Sequence, residues 1–576
     1  MSQLEKIRHS LAHLLASSVM EFYPKAKLAI GPSIENGFYY DIELPKYFKA
    51  EDLQKIETRM KELIKENQNF VGKKVSKIVA KKLFKDSPYK LEIIKELEGK
   101  TVGTYQNGNF LDLCKGGHVE NTKEINPNAF KLTKIAGAYW RGDEKNKMLT
   151  RIYGVAFETE KELNDYLKMQ EEAEKRDHKK LGVSLDLFVF SELVGAGLPL
   201  WTPRGALVRN LLDEYVWSLR NKIGYEKVEI PHITKKELYE TSGHWDKFKD
   251  ELFRVKTREG HEFAMKPMNC PHHTQIYSRK QFSYRELPQR YANSTMCYRD
   301  EQTGELSGLS RVRAFTQDDA HVFCRFIQIK EELGNIWDKV VEPFYKSFGF
   351  KLQLRLSLHD PKNFKKYLGK KEQWLDAEQV LRELAKDRKT DFYEAIGEAA
   401  FYGPKLDFLA TDSLGREWQV ATIQLDMNQP ERFDLYCIDE KGQKERIVMI
   451  HAAIMGSIER FMSILIEHTA GAFPLWLSPV QVSVIPISEK HLDYANKVKT
   501  TLEKENMRVE LRSENETLGK KIREAEMQKI PYILIMGEKE IQANSVGVRQ
   551  RSKGDLGQMS LESFSAKIKE EMENKK

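Results

Sequence analysis

Cysteine is scarce in this 576-residue chain: there are five, Cys114, Cys270, Cys297, Cys324 and Cys437, an odd number, widely spaced and without a C-x-x-C pair. That pattern excludes a disulfide scaffold and leads us to expect a reducing compartment, the cytoplasm. Long apolar runs are missing too, and the start, M-S-Q-L-E-K-I-R-H-S, has no apolar signal core, so no membrane partner is expected. Neither G-x-x-x-x-G-K-[ST] nor a G-x-G-x-x-G after a strand occurs, which removes the usual phosphate-binding loops. Charge of one sign is not in large excess. A net +7, with 31% charged residues, permits a nucleic-acid partner without requiring one.

The length implies several cores, roughly three to four domains at about 150 residues each. We place them at residues 1–157, 181–474 and 475–576, with a Lys/Glu-rich linker helix over 158–180. The most informative stretch is Thr295 to His321, which reads as strand, long Gly-containing turn, strand. Arg299 and Glu301 fall on one side of the first strand by its two-residue period, Arg311 and Arg313 on the second strand, and D-D-A-H at the exit. Cations facing one cleft point to a polyphosphate, because guanidinium forks bind phosphate oxygens bidentately.

In the first region, Leu4, Ile7, Leu11, Leu14, Leu15 and Val19 form a helical apolar stripe, with His9 and His13 on the opposite face. Such a pair can bind metal, do acid–base chemistry or be solvated. With Cys114 and His118 of D-L-C-K-G-G-H it makes a Cys-His₃ set, the composition of a zinc site. Strand-like segments and a helix near Ala50 to Glu66 make this region α+β.

The middle region has helix Leu207 to Asn221, strand Glu226 to Ile230, and further strands at Gln353 to Leu358, Phe401 to Leu409, Glu417 to Leu425 and Arg446 to Ile450. Hairpin-like spacing predicts a mostly antiparallel sheet with flanking helices. After Ile450, the small residues Ala452, Ala453, Gly456 and Ser457 let the backbone approach a ligand, and Arg460 is expected on the helical face of Gly456. In M-K-P-M-N-C-P-H-H, Cys270 invites grouping with His272 and His273, but adjacent histidines on a helix point about 100° apart and suit one ion poorly. The last region, from V-Q-V-S-V-I-P-I to S-V-G-V-R-Q-R, alternates strand and helix and predicts an α/β layer with a mixed sheet.

P-x-x-x-P-R-G, the R-x-E hairpin and the G-S-x-E-R-F helix resemble motifs one, two and three of class II aminoacyl-tRNA synthetases. M-K-P-M-N-C-P, R-V-R-A-F-T-Q-D-D-A-H, E-W-Q-V-A-T-I-Q-L-D and H-A-A-I-M-G-S-I-E-R-F narrow the resemblance to the threonyl-tRNA synthetase family, from about residue 3 to the C-terminus. It implies an antiparallel class II core, an N-terminal α+β editing domain and a C-terminal α/β anticodon-binding domain.

The implied reaction joins the carboxylate of L-threonine to the α-phosphate of ATP and then charges tRNA(Thr). By resemblance Arg299 contacts α-phosphate and carboxylate, Glu301 reads adenine, Phe315 stacks on it, and Arg311 and Arg460 hold the ATP tail with Mg²⁺. Gln419 and Lys405 are further adenylate contacts, Lys405 counted with Arg299 and Arg460 as catalytic. Cys270, His321 and His451 are the implied ligands of one Zn²⁺ per subunit, and Asp319, Gln317, Tyr402 and Met268 the threonine contacts.

The implied editing cluster, for seryl-tRNA, is His9, His13, Lys90, Tyr105, Asp112, Cys114 and His118, where the family works without a catalytic metal. That implication replaces the zinc suggested by composition. Asn515, Glu540 and Arg549 match anticodon readers, and motif one implies a homodimer. The family's small ubiquitin-like N-terminal domain is expected to be missing. His272, Gly117 and Ala452 stand where the family usually has Gly, Pro and Arg. A non-catalytic RNA-binding paralogue is disfavoured because Arg299 and Arg460 are both present. A proline or serine enzyme is disfavoured by the Cys-His-His set.

Overall fold

A computed structural model describes residues 1–44, 48–49 and 51–575. The chain divides into two compact units, Met1–Glu172 and Ala173–Lys576. Among the described residues no helix is long and apolar enough to cross a membrane.

The first unit is built on α1 (Gln3–Phe22), started by a capping box in which Ser2 Oγ accepts the Glu5 N–H at 3.2 Å and Glu5 Oε2 accepts that of Ser2 at 2.5 Å. Its apolar stripe packs on β1 (Gly37–Glu43), α2 (Asp52–Lys65), β5 (Phe130–Tyr139) and β6 (Met148–Ala156), where β1, β6 and β5 are antiparallel neighbours. A second small sheet joins β2 (Phe70–Ser76), β3 (Thr101–Asn107) and β4 (Phe110–Leu113). Ala50, at the expected start of α2, lies outside the described residues. The polar side of α1 is not solvated: Ser10, His13 and Ser18 are buried, with His13 only 2% exposed. The second sheet covers that side, which helical periodicity cannot reveal.

The expected single linker helix is two helices, α3 (Glu160–Lys175) and α4 (His178–Ser184), broken where Asp177 leaves helical geometry and caps α4. In the second unit α5 (Pro203–Asn221) leads to a short strand, β7 (Glu226–Lys227), then α6 (Cys270–Tyr277) and the long pair β8 (Gln289–Tyr298) and β9 (Ala314–Cys324). The sheet is completed by β10 (Lys351–Leu358), β11 (Phe392–Ile396), β12 (Lys405–Thr411), β13 (Glu417–Asp426) and β14 (Val448–Ser457), followed by α7 (Ile458–Thr469). Its order is β7-β8-β9-β14-β13-β12-β10-β11. It is antiparallel through the centre with a parallel pair at each edge. The core on one face includes Trp337, Val341, Phe344, Leu356, Phe408 and Phe461, each 2% exposed or less, and each such side chain contributes about 1.5–3 kcal/mol by leaving water.

Several sequence expectations need correction. Arg299, Glu301, Arg311 and Arg313 are not on strands, because β8 ends at Tyr298 and β9 begins at Ala314; they belong to the connection. Gly456 is in β14, not α7, so it does not share a helical face with Arg460; Ser457 caps the helix between them. The strands expected at Phe401 and Glu226 to Ile230 are also shorter, starting at Lys405 and ending at Lys227.

The α/β layer follows within the same unit, with order β16 (Val509–Leu511), β15 (Val482–Pro486), β17 (Tyr532–Met536), β18 (Ser545–Gln550) and β19 (Gly554–Ser560). The first three are parallel and the last two antiparallel, the mixed sheet the alternating pattern predicts. Arg204 of α5 bonds Gln528 at 2.6 Å and Arg551 bonds the Phe473 carbonyl at 2.5 Å, tying this layer to the rest of its unit.

Between Gln317 and Asp319, β9 meets a bulge of β14, since Gln317 pairs with Ser457 but Asp319 with Ala453. The fully buried Asp318 carboxylate fills it, accepting the N–H groups of Ile454, Met455 and Gly456 at 3.1, 3.1 and 2.9 Å, with Arg220 Nη2 of α5 at 3.4 Å. Burial pushes the Asp318 carboxyl up to about 7, against the opposing pull of Arg220 and the N–H groups. Arg220→Ala therefore leaves a buried carboxylate without its cation, and we expect a loss of about 3–5 kcal/mol in urea unfolding. The loss should be larger at pH 8 than at pH 6, where protonation relieves the charge; an equal loss at both pH values contradicts this account.

Candidate functional site

A cleft of about 400 Å³ opens over the centre of the eight-stranded sheet. Side chains at 317, 319 and 321 share one face of β9 by its two-residue period, and register sets His321 directly opposite His451. Met268, Cys270, Gln317, Asp319, Tyr402 and His451 line the cleft together with Arg299, Phe315, Gln419 and Arg460. Arg299 lies by the rings of Phe315 and Phe248, 5.2 and 5.5 Å from their centroids, and among the described residues its buried Nε has no partner. Arg460 is held at the start of α7, where Ser457 Oγ accepts its N–H at 3.2 Å. Among the described residues no carboxylate pairs with Arg460, and burial lowers its pKa. A cleft with two guanidinium groups that pair with no carboxylate among the described residues is suited to an anion.

Cys270, His321 and His451 bring donor atoms within 4.8 Å of one another. His321 Nε2 and His451 Nδ1 face each other at 3.1 Å. Nitrogens bound to one tetrahedral zinc at about 2.0–2.1 Å stand about 3.3 Å apart, so the pair has the spacing of a coordination edge. The outer nitrogens are engaged: His451 Nε2 with Asp426 Oδ2 at 3.0 Å and His321 Nδ1 with His273 Nδ1 at 2.7 Å. Burial drives His321 well below the usual imidazole range, keeping it neutral as a ligand must be, while burial raises the Cys270 thiol. Two imidazole nitrogens and one cysteine sulfur, which gives up its proton on binding metal, fit a zinc ion with one open position. His273, set aside as a ligand on helical geometry, touches the outer nitrogen of a ligand instead.

Four expected residues do not line this cleft, His321 among them, since it is fully buried against His273 and His451. Glu301 and Arg311 pair with each other at 2.7 Å, Arg311 also reaching Glu305 at 3.3 Å. Lys405 is bound to the fully buried Asp407 at 2.9 Å. Asp407 also accepts from Arg355 at 2.9 Å, Gln419 at 2.8 Å and Thr422 at 2.9 Å, and so fixes the cleft wall. Sequence reasoning missed Asp407, Thr422 and Gln424, and also His244, which opens the short helix His244–Lys247, and Phe248, which caps its end. The only signal for the last two is the G-H-W-x-x-F string itself, whose place over the cleft comes from tertiary packing.

The first unit has a cavity of about 520 Å³. His118 is the hub of the residues beside it, its ring 4.2 Å from those of His9 and His13 and 4.8 Å from that of Tyr105. Cys114 Sγ is 3.3 Å from His118 Nε2 and 3.5 Å from His9 Nε2. Asp112 receives Lys90 Nζ at 2.6 Å and lies 3.9 Å from His13 Nε2. All seven sequence-selected residues thus form one connected group. Tyr40 was missed: fully buried, it donates to Asp112 at 2.5 Å and accepts from Lys90 at 2.9 Å.

In the α/β layer Arg549 is on β18, opposite Ile533 of β17, and among the described residues its buried Nε has no partner. Glu540 accepts the Gly537 N–H at 2.9 Å, and the exposed Asn515 lies in the loop after β16. No contact joins these three to one another among the described residues.

Comparison with known proteins matches three families: "tRNA synthetase class II core domain (G, H, P, S and T)" over residues 253–469, "Anticodon binding domain" over 481–571, and "Threonyl and Alanyl tRNA synthetase second additional domain" over 102–153. The chain is 48% identical to the threonine–tRNA ligase of Porphyromonas gingivalis over 573 residues, covering 98% of this chain and 87% of that one. The corresponding ligase of Acetivibrio thermocellus is also 48% identical, over 99% and 88%. Among solved structures it is similar to the RNA-binding domain of threonyl-tRNA synthetase from Cryptosporidium parvum, with TM-score 0.65, 37% identity, and 68% of this chain and 98% of that one covered. A putative threonyl-tRNA synthetase of Aeropyrum pernix gives TM-score 0.62 and 30% identity, over 70% and 96%.

Burial, reinforced by His13 and His9, pushes His118 from 6.5 down to about 2; burial also lowers His9, and drives His13 well down. The folded unit refuses protons that the unfolded chain accepts. Its stability is therefore full above pH 6.5 and is lost progressively as pH falls from there toward about 2. Hydrogen exchange of α1 amides, corrected for intrinsic rates, should show weaker protection at pH 5.5 than at 7.5, with a smaller difference in His118→Gln. Equal protection at both pH values is the contrary outcome.

Proposed function

The chain belongs to the threonine–tRNA ligase family of class II aminoacyl-tRNA synthetases, and from that premise we propose that it couples L-threonine to tRNA(Thr) through a threonyl-adenylate, selects threonine with zinc, and hydrolyses mischarged seryl-tRNA(Thr). The supporting observation is that one cleft is lined by Cys270 and His451, which form a close donor set with the buried His321, and by Arg299 and Arg460, neither of which pairs with a carboxylate among the described residues.

A carboxylate oxygen of threonine attacks the α-phosphorus of ATP and pyrophosphate leaves. This step needs orientation and charge neutralisation rather than a protein nucleophile. Arg299 draws carboxylate and α-phosphate together, its plane fixed by Phe248 and Phe315, and Phe315 gives adenine a stacking face. Arg460 and Arg311 hold the phosphate tail with Mg²⁺. Arg311 and Glu301 neutralise each other without ATP; the nucleotide separates them, leaving Glu301 for the adenine amino group. Lys405 acts through Asp407, which holds Gln419 toward the adenylate.

Cys270, His321 and His451 would hold the zinc, which when bound would supply an electrophilic centre for the amino and hydroxyl groups of threonine. Without that demand for a hydroxyl, a pocket separates near-isosteres such as threonine and valine by only on the order of a hundredfold. Asp319, held by Asn269 Nδ2 at 3.3 Å, accepts the hydroxyl hydrogen bond, with Gln317, Tyr402 and Met268 around the amino acid.

Serine meets the same demand and is smaller, so a second sieve is required. The first unit supplies it: His9, His13, Lys90, Tyr105, Asp112, Cys114 and His118 position water and the terminal ribose. Asn515, Glu540 and Arg549 read anticodon bases, which single-stranded loops display. We assign editing to residues 1–157, the linker to 158–180, catalysis to 181–474 and anticodon binding to 475–576, in a cytoplasmic homodimer.

ATP–pyrophosphate exchange should proceed with threonine and serine but not valine. Cys270→Ala should lower zinc content and reduce threonine-dependent exchange at least a hundredfold; unchanged exchange defeats the zinc reading. His9→Ala should slow seryl-tRNA hydrolysis at least tenfold with threonine activation intact, and equal hydrolysis rates would refute the editing assignment.

A further inference from the structure

We infer that His178 is a positioning residue for nucleotide binding: it ties the connection that bears Arg299, Glu301 and Arg311 to the helix that begins with Arg460. The inference rests on the proposed ATP roles of those residues. His178 is 3% exposed and opens α4, in the stretch the sequence marks only as a linker. Its Nδ1 meets Glu467 Oε1 at 2.6 Å, two turns along α7 from Arg460, and its own backbone N–H also reaches that oxygen, at 3.2 Å. With Nδ1 the donor, Nε2 carries a lone pair, and it accepts the backbone N–H of Leu309 at 3.1 Å. One neutral tautomer satisfies both bonds.

The surroundings admit little else. Gly308 has φ +52, and a Cβ there would lie 2.3 Å from His178 Nε2, so the chain passes the imidazole as bare backbone. The second Glu467 oxygen is taken by Arg416 at 2.7 Å, which fixes the acceptor. Ser310 Oγ and Ser463 Oγ, at 3.0 Å, make a second tie between the same connection and α7. Asp177, His178 and Glu467 are close enough to suggest a cation site. Their ligand atoms are already spent on protein N–H groups, Asp177 capping Lys179 at 2.8 Å, so the group acts as a hydrogen-bond hub.

Arg311 is two residues beyond Leu309, and Arg460 is seven before Glu467. Losing the His178 bond to Leu309 lets the Arg311 side of the nucleotide site drift against the Arg460 side. Threonine's amino and hydroxyl groups are met by side chains outside this connection, Asp319 on β9 among them, and Arg299, which takes its carboxylate, sits at the far end of the connection from Leu309, where its N–H is held by the Arg313 carbonyl at 2.9 Å. His178→Ala should raise KM for ATP in pyrophosphate exchange about tenfold, or about 1.4 kcal/mol, with KM for threonine within about twofold and zinc content unchanged.

The amide of His178→Gln reaches the Nε2 position and can accept from Leu309, whereas that of His178→Asn reaches only the Nδ1 position and keeps Glu467. Gln should recover most of the ATP affinity and Asn should not. The inference is overturned if Ala, Gln and Asn shift both KM values equally, if Asn recovers more than Gln, or if no variant changes KM for ATP. Arg460→Ala in the same assay separates the two readings. If it too leaves KM for ATP and kcat intact, the proposed nucleotide site itself is wrong; if it cripples exchange while the His178 variants do not, only the positioning role fails.

Discussion

Three consecutive backbone N–H groups, those of Ile454, Met455 and Gly456, would be stranded inside the second unit if Asp318 did not accept all of them. Regular pairing of β9 with β14 stops at Asp319 and resumes at Gln317, and the unpaired donors lie in the gap. Leaving one such group unsatisfied costs about 1–3 kcal/mol, so the bulge exists only with the carboxylate in it. Much of the cleft depends on this one interaction. It directs the end of β14 toward Ser457, whose hydroxyl starts α7 and sets the origin of Arg460. Through Arg220 it also tethers α5, whose guanidinium reaches the Ala452 carbonyl at 3.1 Å.

The same strand carries two kinds of residue that the pleat keeps apart. Asp318 turns to structure, while Gln317, Asp319 and His321 turn to the cleft. Antiparallel register then does what no local sequence can, placing His321 across from His451 although 129 residues separate them, with Gln424 on the far side of His451. Outer hydrogen bonds, from His451 to Asp426 and between His321 and His273, fix which nitrogens face inward. The donor set is built by sheet geometry and oriented by neighbours, and Cys270 is delivered separately by the first turn of α6.

Much of this was legible in the chain because period and motif agree. The β9 alternation, the α1 stripe and the order of the three class II segments can be read directly, and so can the mixed sheet of the last region. What escaped depends on contacts remote in sequence. Arg299 and Glu301 looked like strand neighbours, yet Arg311 reaches Glu301 because the connection folds on itself. Gly456 looked helical because small residues and apolar spacing continue across the strand–helix junction. Tyr40 and Asp407 read as ordinary strand residues, and only burial beside opposite charge or a donor cluster marks them.

His178 carries that lesson furthest. In the sequence it sits amid lysines and glutamates, where a solvated helix is the natural reading. The break at Asp177 changes this, because it turns the chain and presents an imidazole where two acidic and amide partners already wait. An imidazole suits the place because its two nitrogens point in divergent directions, one donating and one accepting, in a single rigid plane. No other uncharged side chain offers both at that separation. The geometry of the nucleotide cleft therefore depends on a residue that touches no part of it.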